Sequence, residues 1–170
     1  GLGDVYKRQH LDGIVTFSNA ETIFGGKTIR ISNGIDFDAI PMKQSQNDTS
    51  HELHLIGVAE VHYWHGFDRM VNGMTEYYRT NPDYKVYFHI IGPLSGERER
   101  EEILPVVRNN HLEPYVIMHG PLHGEELDIQ FERADFAIGS LGRHRSGITY
   151  IKTLKNLSLI HISEPTRLGM

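Results

Sequence analysis

Residues 52–69 read ELHLIGVAEVHYWHGFDR. Leu53, Leu55, Ile56 and Val58 form an apolar run of strand length, and Gly57 interrupts it and frees the backbone at the strand's end. His65-Gly66 closes a loop, after which Phe67, Met70, Val71, Met74, Tyr77 and Tyr78 recur at the spacing of one helix face. A buried strand, a glycine, a loop and an amphipathic helix make the first half of a strand–helix–strand unit. In open α/β sheets such a loop lies at the carboxyl ends of the strands, where ligands bind.

Towards the carboxyl end the same alternation continues. The first helix is expected to stop near Asn81-Pro82. Tyr84–Ile91, rich in β-branched and aromatic residues, is expected as a central strand. Ser95 opens a helix from about Gly96 to Asn110, and the glutamates in its first turns suit the positive end of the helix dipole. Tyr115–Met118 is a third strand closed by Gly120-Pro121, Glu125–Arg133 a short helix, and Asp135–Ile138 a fourth strand. Gly147 starts a last helix, with Ile148, Ile151, Leu154 and Leu157 at helical spacing. This order predicts an α/β fold of Rossmann-like type: a mostly parallel sheet with helices on both faces.

Towards the amino end, Gly13–Ser18 reads as a short strand without an evident partner, Glu21–Phe24 as a helical turn, and Lys27–Ser32 as a half-buried strand before an Asn33-Gly34 turn. Pro41–Ser50 is polar and reads as a linker. The extreme ends, residues 1–9 (GLGDVYKRQ) and 158–170 (SLIHISEPTRLGM), resemble translated sequencing-adapter DNA and are set aside as artefacts. That leaves residues 10–157 as the part that the fold is read from.

Composition limits the functions. The chain has 170 residues, no cysteine and a formal charge of -5. Disulfides and thiolate metal sites are excluded, a cytoplasmic location fits, and an acidic chain is a poor binder of nucleic-acid backbone. No apolar run reaches the roughly 18 residues of a membrane span. His62 with His65, and His119 with His123, have spacings that could ligate a metal. Neither pair has a third ligand that the sequence identifies, so these are read as surface or loop histidines and no metal or other cofactor is expected. His89 reads as a satisfied sheet residue, Met74, Tyr77 and Tyr78 as core, and the Glu97–Glu102 run as a solvated helix face.

Five segments occur in an order that resembles a family: ISNGID (31–36), LIGVAEVHYWHG (55–66), VYFHIIG (86–92), YVIMHGPLHGEEL (115–127) and ADFAIGSLGRHRSGI (134–148). Together they resemble the central part of a bacterial GT-B glycosyltransferase of the group-1, family-4-like type, in the variant used for polysaccharide assembly. The resemblance covers nearly all of residues 10–157. It implies two Rossmann-like halves facing a cleft, of which this chain holds most of the donor half. It also implies transfer of a sugar, with retention and no required metal, from a nucleotide-diphosphate sugar to a glycan or lipid-linked acceptor. The work is placed in the cytoplasm, with peripheral association of the full-length enzyme at the inner face of the membrane allowed.

Carried over residue by residue, the resemblance assigns donor contacts to Gly57, to His65 and Gly66 where many relatives have Lys-Gly, and to Gly120, Pro121 and Leu122 beside the nucleobase. Ser140, Arg143, His144, Arg145 and Gly147 fall in the donor-phosphate loop. The usual arginine soon after the strand glycine is absent, Glu60 sits in that loop, and Arg69 or the later arginines are its candidate substitutes. The glutamate that relatives use on the donor ribose would fall just after Leu157, where the adapter-like tail stands instead, and no catalytic residue is identified. Chemically, a departing nucleoside diphosphate gathers negative charge, which guanidinium groups and free backbone N–H groups at a helix start stabilise. The plainer alternatives are a solvated basic loop at SLGRHRSG, a surface His65, and an Arg69 paired with Asp68 or Glu60. A nucleotide-binding module without transfer chemistry, or a scaffold domain, is the alternative for the whole chain.

Overall fold

The computed structural model describes residues 12–32, 34, 36, 43 and 46–147. Asn33 of the expected turn, much of the polar linker, and the expected helix beyond Gly147 lie outside them. The chain divides into two compact units, one ending at Ile35 and the other starting at Asp36.

The first unit is a three-stranded sheet of β1 (Ile14–Thr16), β2 (Thr22–Ile23) and β3 (Gly26–Arg30), in the order β1-β3-β2. Two expectations are corrected here. β1 does have a partner, since it runs parallel to β3 with Val15 opposite Ile29. The expected helical turn at Glu21–Phe24 is instead a hairpin, in which Ile23 pairs with Gly26. Its two loop residues, Phe24 and Gly25, both have positive φ, at 52° and 82°. That geometry matches the twist of the flanking strands, and it overrides any helical tendency of four residues.

The second unit carries β4 (Glu52–Val58), α1 (Phe67–Tyr78), β5 (Lys85–Ile91), α2 (Glu97–Asn109), β6 (Val116–Gly120), α3 (Gly124–Arg133) and β7 (Phe136–Ala137). All four strands are parallel, in the order β6-β5-β4-β7. On one face Leu55, Phe88, Ile90 and Val116 pack with Phe67, Val71 and Met74 of α1 and Ile103 and Val107 of α2. On the other, Ile56 and Ile91 pack with Ala134, and Leu127 and Phe131 of α3 lie against them. The unit is thus an α/β Rossmann-like fold with helices on both faces. Each fully buried large apolar side chain contributes about 1.5–3 kcal/mol. Among the described residues no helix is long and apolar enough to cross a membrane.

The sequence expectations for core residues fit this layering. Met74 is buried. Tyr78 stacks on Tyr115 at 3.8 Å between ring centres. Its hydroxyl donates to the Val86 carbonyl oxygen at 2.8 Å, and burial pushes the phenol up to about 12. Gly57 lies inside β4 rather than ending it. A Cβ there would sit 2.6 Å from Cζ of Phe67, so the glycine makes room for a buried ring.

The strand order fixes where a ligand could enter. The steps from β4 to β5 and β5 to β6 move across the sheet in one direction, and the step from β6 to β7 returns past β4. Right-handed crossovers then put α1 and α2 on one face and α3 on the other. The order therefore reverses between β4 and β7. At such a switch point the loops leaving the two strands diverge, and a crevice opens at the carboxyl edge.

Candidate functional site at the switch point of the sheet

Two loops leave the strands at that crevice. After β4, Ala59 and Val61 tuck under the neighbouring loop, with the Ala59 N–H donating to Ile91 O at 2.9 Å and the Val61 N–H to Pro93 O at 2.8 Å. Tyr63–His65 then forms a single 3-10 turn, and Gly66 takes a left-handed conformation before α1. After β7, residues 138–142 lead into a second such turn, Arg143–Ser146, which ends at the left-handed Gly147.

The two loops are joined by backbone and side chain. The Leu141 N–H donates to His65 O at 2.8 Å, and Ser140 Oγ donates to Trp64 O at 2.5 Å. Arg69 Nη1 donates to Leu141 O at 2.6 Å. Two glycines meet at the crossing. A Cβ on Gly66 would lie 2.6 Å from the Gly142 nitrogen, and a Cβ on Gly142 would lie 2.9 Å from Tyr63 O. Any side chain at either position would drive the loops apart.

Arg145 completes the join. Its Nη1 and Nη2 donate to Oδ1 and Oδ2 of Asp68 at 2.8 and 2.7 Å, and Nη1 also donates to Tyr63 O at 3.0 Å. The fork geometry of the guanidinium suits a carboxylate at the start of α1, where a negative charge also favours the helix dipole. Burial acts to raise the Asp68 carboxyl, but the hydrogen bonds and charge of Arg145 prevail and hold it below the usual carboxylate range. Hydrogen bonding to Asp68 raises Arg145 in turn, against its own desolvation.

The expected site residues thus have diverse surroundings. His65 is buried, and its Nδ1 accepts the His62 N–H at 2.9 Å; it belongs to the turn before α1 rather than to the helix. Arg69 is not paired with Asp68, which Arg145 occupies. The Arg143 guanidinium lies 5.6 Å from the centre of the Trp64 ring, and its Nε is buried with no hydrogen-bond partner among the described residues. His144 is exposed, and its carbonyl accepts the Gly147 N–H at 3.0 Å. Gly147 is the left-handed residue that ends this 3-10 turn, and the helix expected after it lies outside the described residues. Gly120 ends β6 with φ 71°, its carbonyl accepting the Gly92 N–H at 2.7 Å. Pro121 is exposed, and Leu122 packs against the α3-side core.

Glycine use divides these positions. At Gly57, Gly66 and Gly142 the missing side chain makes room for protein atoms, whereas around Gly120 and Gly147 a Cβ would find open space within 4 Å. Gly120 shares the carboxyl edge with the switch point but lies two strands from β4. At a strand spacing of about 4.8 Å, the loop after β6 stands roughly 14 Å along the edge from the loop after β7.

Other residues that shape the site were not evident as such in the sequence. Glu99, expected on a solvated helix face, is buried at the start of α2, and its Oε1 accepts the Tyr63 N–H at 2.8 Å. Its other oxygen packs over Gly96, where a Cβ would lie 2.4 Å away. Asp68 and Trp64 were adjacent to predicted contacts, but nothing local marks them as partners of Arg145 and Arg143. Among the described residues no group of three or more potential metal ligands is assembled. Comparison with protein-family models gives no match, and comparison with curated proteins gives none either.

Proposed function

We propose that this chain is the donor-nucleotide half of a glycosyltransferase that moves a sugar from a nucleotide-diphosphate donor to a glycan or lipid-linked acceptor in the cytoplasm, in bacterial polysaccharide assembly. One observation carries the reading most: the Ser140–Gly147 loop, whose sequence resembles a donor-phosphate loop, leaves β7 at the topological switch point and is bonded there to the loop after β4. The ordered resemblance of the five segments supports the chemistry, and the fold supports the place.

The roles within the loop differ from each other. Arg143 is the cation offered to a β-phosphate, because its guanidinium lies over the Trp64 ring and no carboxylate among the described residues pairs with it. Arg145 is a positioning residue, since Asp68 already takes both of its donating edges. The span along the edge to Gly120 suits an elongated ligand, with a base at one end and a pyrophosphate at the other. Such cationic and backbone donors act by stabilising charge on the departing diphosphate.

Calorimetry with UDP, GDP and ADP tests this. Binding of one of them is expected, weakened about tenfold or more by Arg143→Ala and left unchanged by Arg98→Ala, whose guanidinium pairs with Glu102 at 2.7 Å. No binding of any nucleotide at millimolar concentration, or equal losses in the two variants, would overturn the assignment.

A further inference from the structure

Three histidines on the α3-side face of the sheet form a continuous hydrogen-bonded row. His54 Nδ1 lies 2.9 Å from His89 Nε2, and His89 Nδ1 lies 2.9 Å from His119 Nε2. At the other end, His54 Nε2 lies 3.2 Å from Oε1 of Glu52. The sheet register produces this row. His54 is opposite Tyr87, two residues before His89, and His89 is opposite Ile117, two residues before His119. Each step therefore crosses one strand and rises two residues on the same face, a diagonal contact within reach of long side chains. The row runs from Glu52 at the start of β4 to His119, one residue before Gly120 at the ligand-facing edge.

The polarity of the row follows from its carboxylate. A neutral imidazole has one donor and one acceptor nitrogen, and a carboxylate only accepts. Facing Glu52, His54 must donate from Nε2 and accept at Nδ1. His89 must then donate from Nε2, and His119 likewise, which leaves the lone pair of His119 Nδ1 as the open end.

We propose that Glu52, His54, His89 and His119 form a proton relay that takes up a proton at His119 and stores its charge as an ion pair between His54 and Glu52. The step balances without a co-reactant. A proton binds His119 Nδ1. The His119 Nε2 proton passes to His89 Nδ1, and the His89 Nε2 proton passes to His54 Nδ1. His54 ends with both nitrogens protonated beside the Glu52 carboxylate. His89 and His119 end neutral, each with its proton moved to Nδ1.

The surroundings favour that destination. Burial first, then the neighbouring His54, His119 and Arg133 at the end of α3, push His89 down to about 4. Burial lowers His119 as well. From β5, the Tyr87 ring stacks on His54 at 4.7 Å between centres. Before β7, Asp135 Oδ2 accepts the His54 backbone N–H at 2.7 Å, adding negative charge on the His54 side. Lys43 lies behind it, its Nζ donating to Ala134 O at 2.5 Å. Burial thus disfavours charge at His89 and His119, while two carboxylates, Glu52 and Asp135, stand at the His54 end of the row.

Long-range 1H–15N NMR of the histidine rings in the full chain, between pH 8 and 5, tests this directly. At the alkaline end all three rings are expected as Nε2–H tautomers. On acidification His54 is expected to become doubly protonated first, while His89 and His119 shift to Nδ1–H. Double protonation appearing first at His89 or His119, or an Nδ1–H tautomer of His89 at pH 8, would overturn the relay. Glu52→Gln, at an exposed side chain where folding is not at stake, supplies the second arm. An amide can donate as well as accept, so the tautomers should become mixed; unchanged tautomers in this variant would also overturn it.

Discussion

Removing the Asp68–Arg145 pair should loosen the switch-point loops by a predictable amount. The side chains are 14 % and 23 % exposed, so the pair sits nearer the buried limit than the surface one. Exposed pairs couple by about 0.2–1 kcal/mol, whereas breaking a fully buried pair costs roughly 3–5 kcal/mol. With screening allowed for, a coupling of about 2 kcal/mol is expected from the two charged hydrogen bonds. Arg145→Ala also loses the bond to Tyr63 O, which adds about 1 kcal/mol, for a total near 3 kcal/mol. Urea unfolding of the parent, Arg145→Ala, Asp68→Ala and the double variant at pH 7 forms the cycle that isolates the pair. Because the folded Asp68 is held below its ordinary value of 3.8, its contribution is present above that value and is lost as the pH falls through the folded one. The coupling should therefore persist at pH 5 and shrink in more acidic solution. A coupling below about 0.5 kcal/mol at pH 7 would refute the clamp, and Arg145 would return to the status of a free cation.

Two further perturbations probe the packing that sets the site. Gly57→Ala should cost about 1–3 kcal/mol in urea unfolding, because its new Cβ would meet the Phe67 ring, itself packed edge-on against Phe88 at 5.3 Å; a neutral change would mean that the ring can move aside freely. Glu99→Ala should cost about 2 kcal/mol by leaving the Tyr63 N–H without its acceptor. Glu99→Gln should recover most of that loss, since an amide oxygen also accepts, and equal losses in the two variants would contradict this role for Glu99.

Much of the second unit was legible in the chain itself. Apolar runs at period two and stripes at helical spacing are local, so β4, α1, β5, α2, β6, α3 and β7 fall within a few residues of their expected bounds. Their alternation dictates a parallel sheet, and a parallel sheet dictates a carboxyl edge that gathers the loops. The weaker amino-terminal segments were less legible. Strands of two and three residues carry no usable period, so the partner of β1 and the hairpin at Phe24-Gly25 depended on register.

Local patterning was enough for the layers, the direction of the strands and the edge to which basic and glycine-rich loops would come. Which groups those loops use on each other depended on contacts made in the folded chain. Arg145 and Asp68 are 77 residues apart, and a charge carries no local mark of the partner that will neutralise it. Gly57, Gly66 and Gly142 look like any flexible glycines until the fold sets a ring or a backbone against them. His54 and His89 are 35 residues apart, in separate strands, and nothing local marks either as the other's neighbour. Strand register, a property of paired chains rather than of one, is what turned those histidines and His119 into a single row.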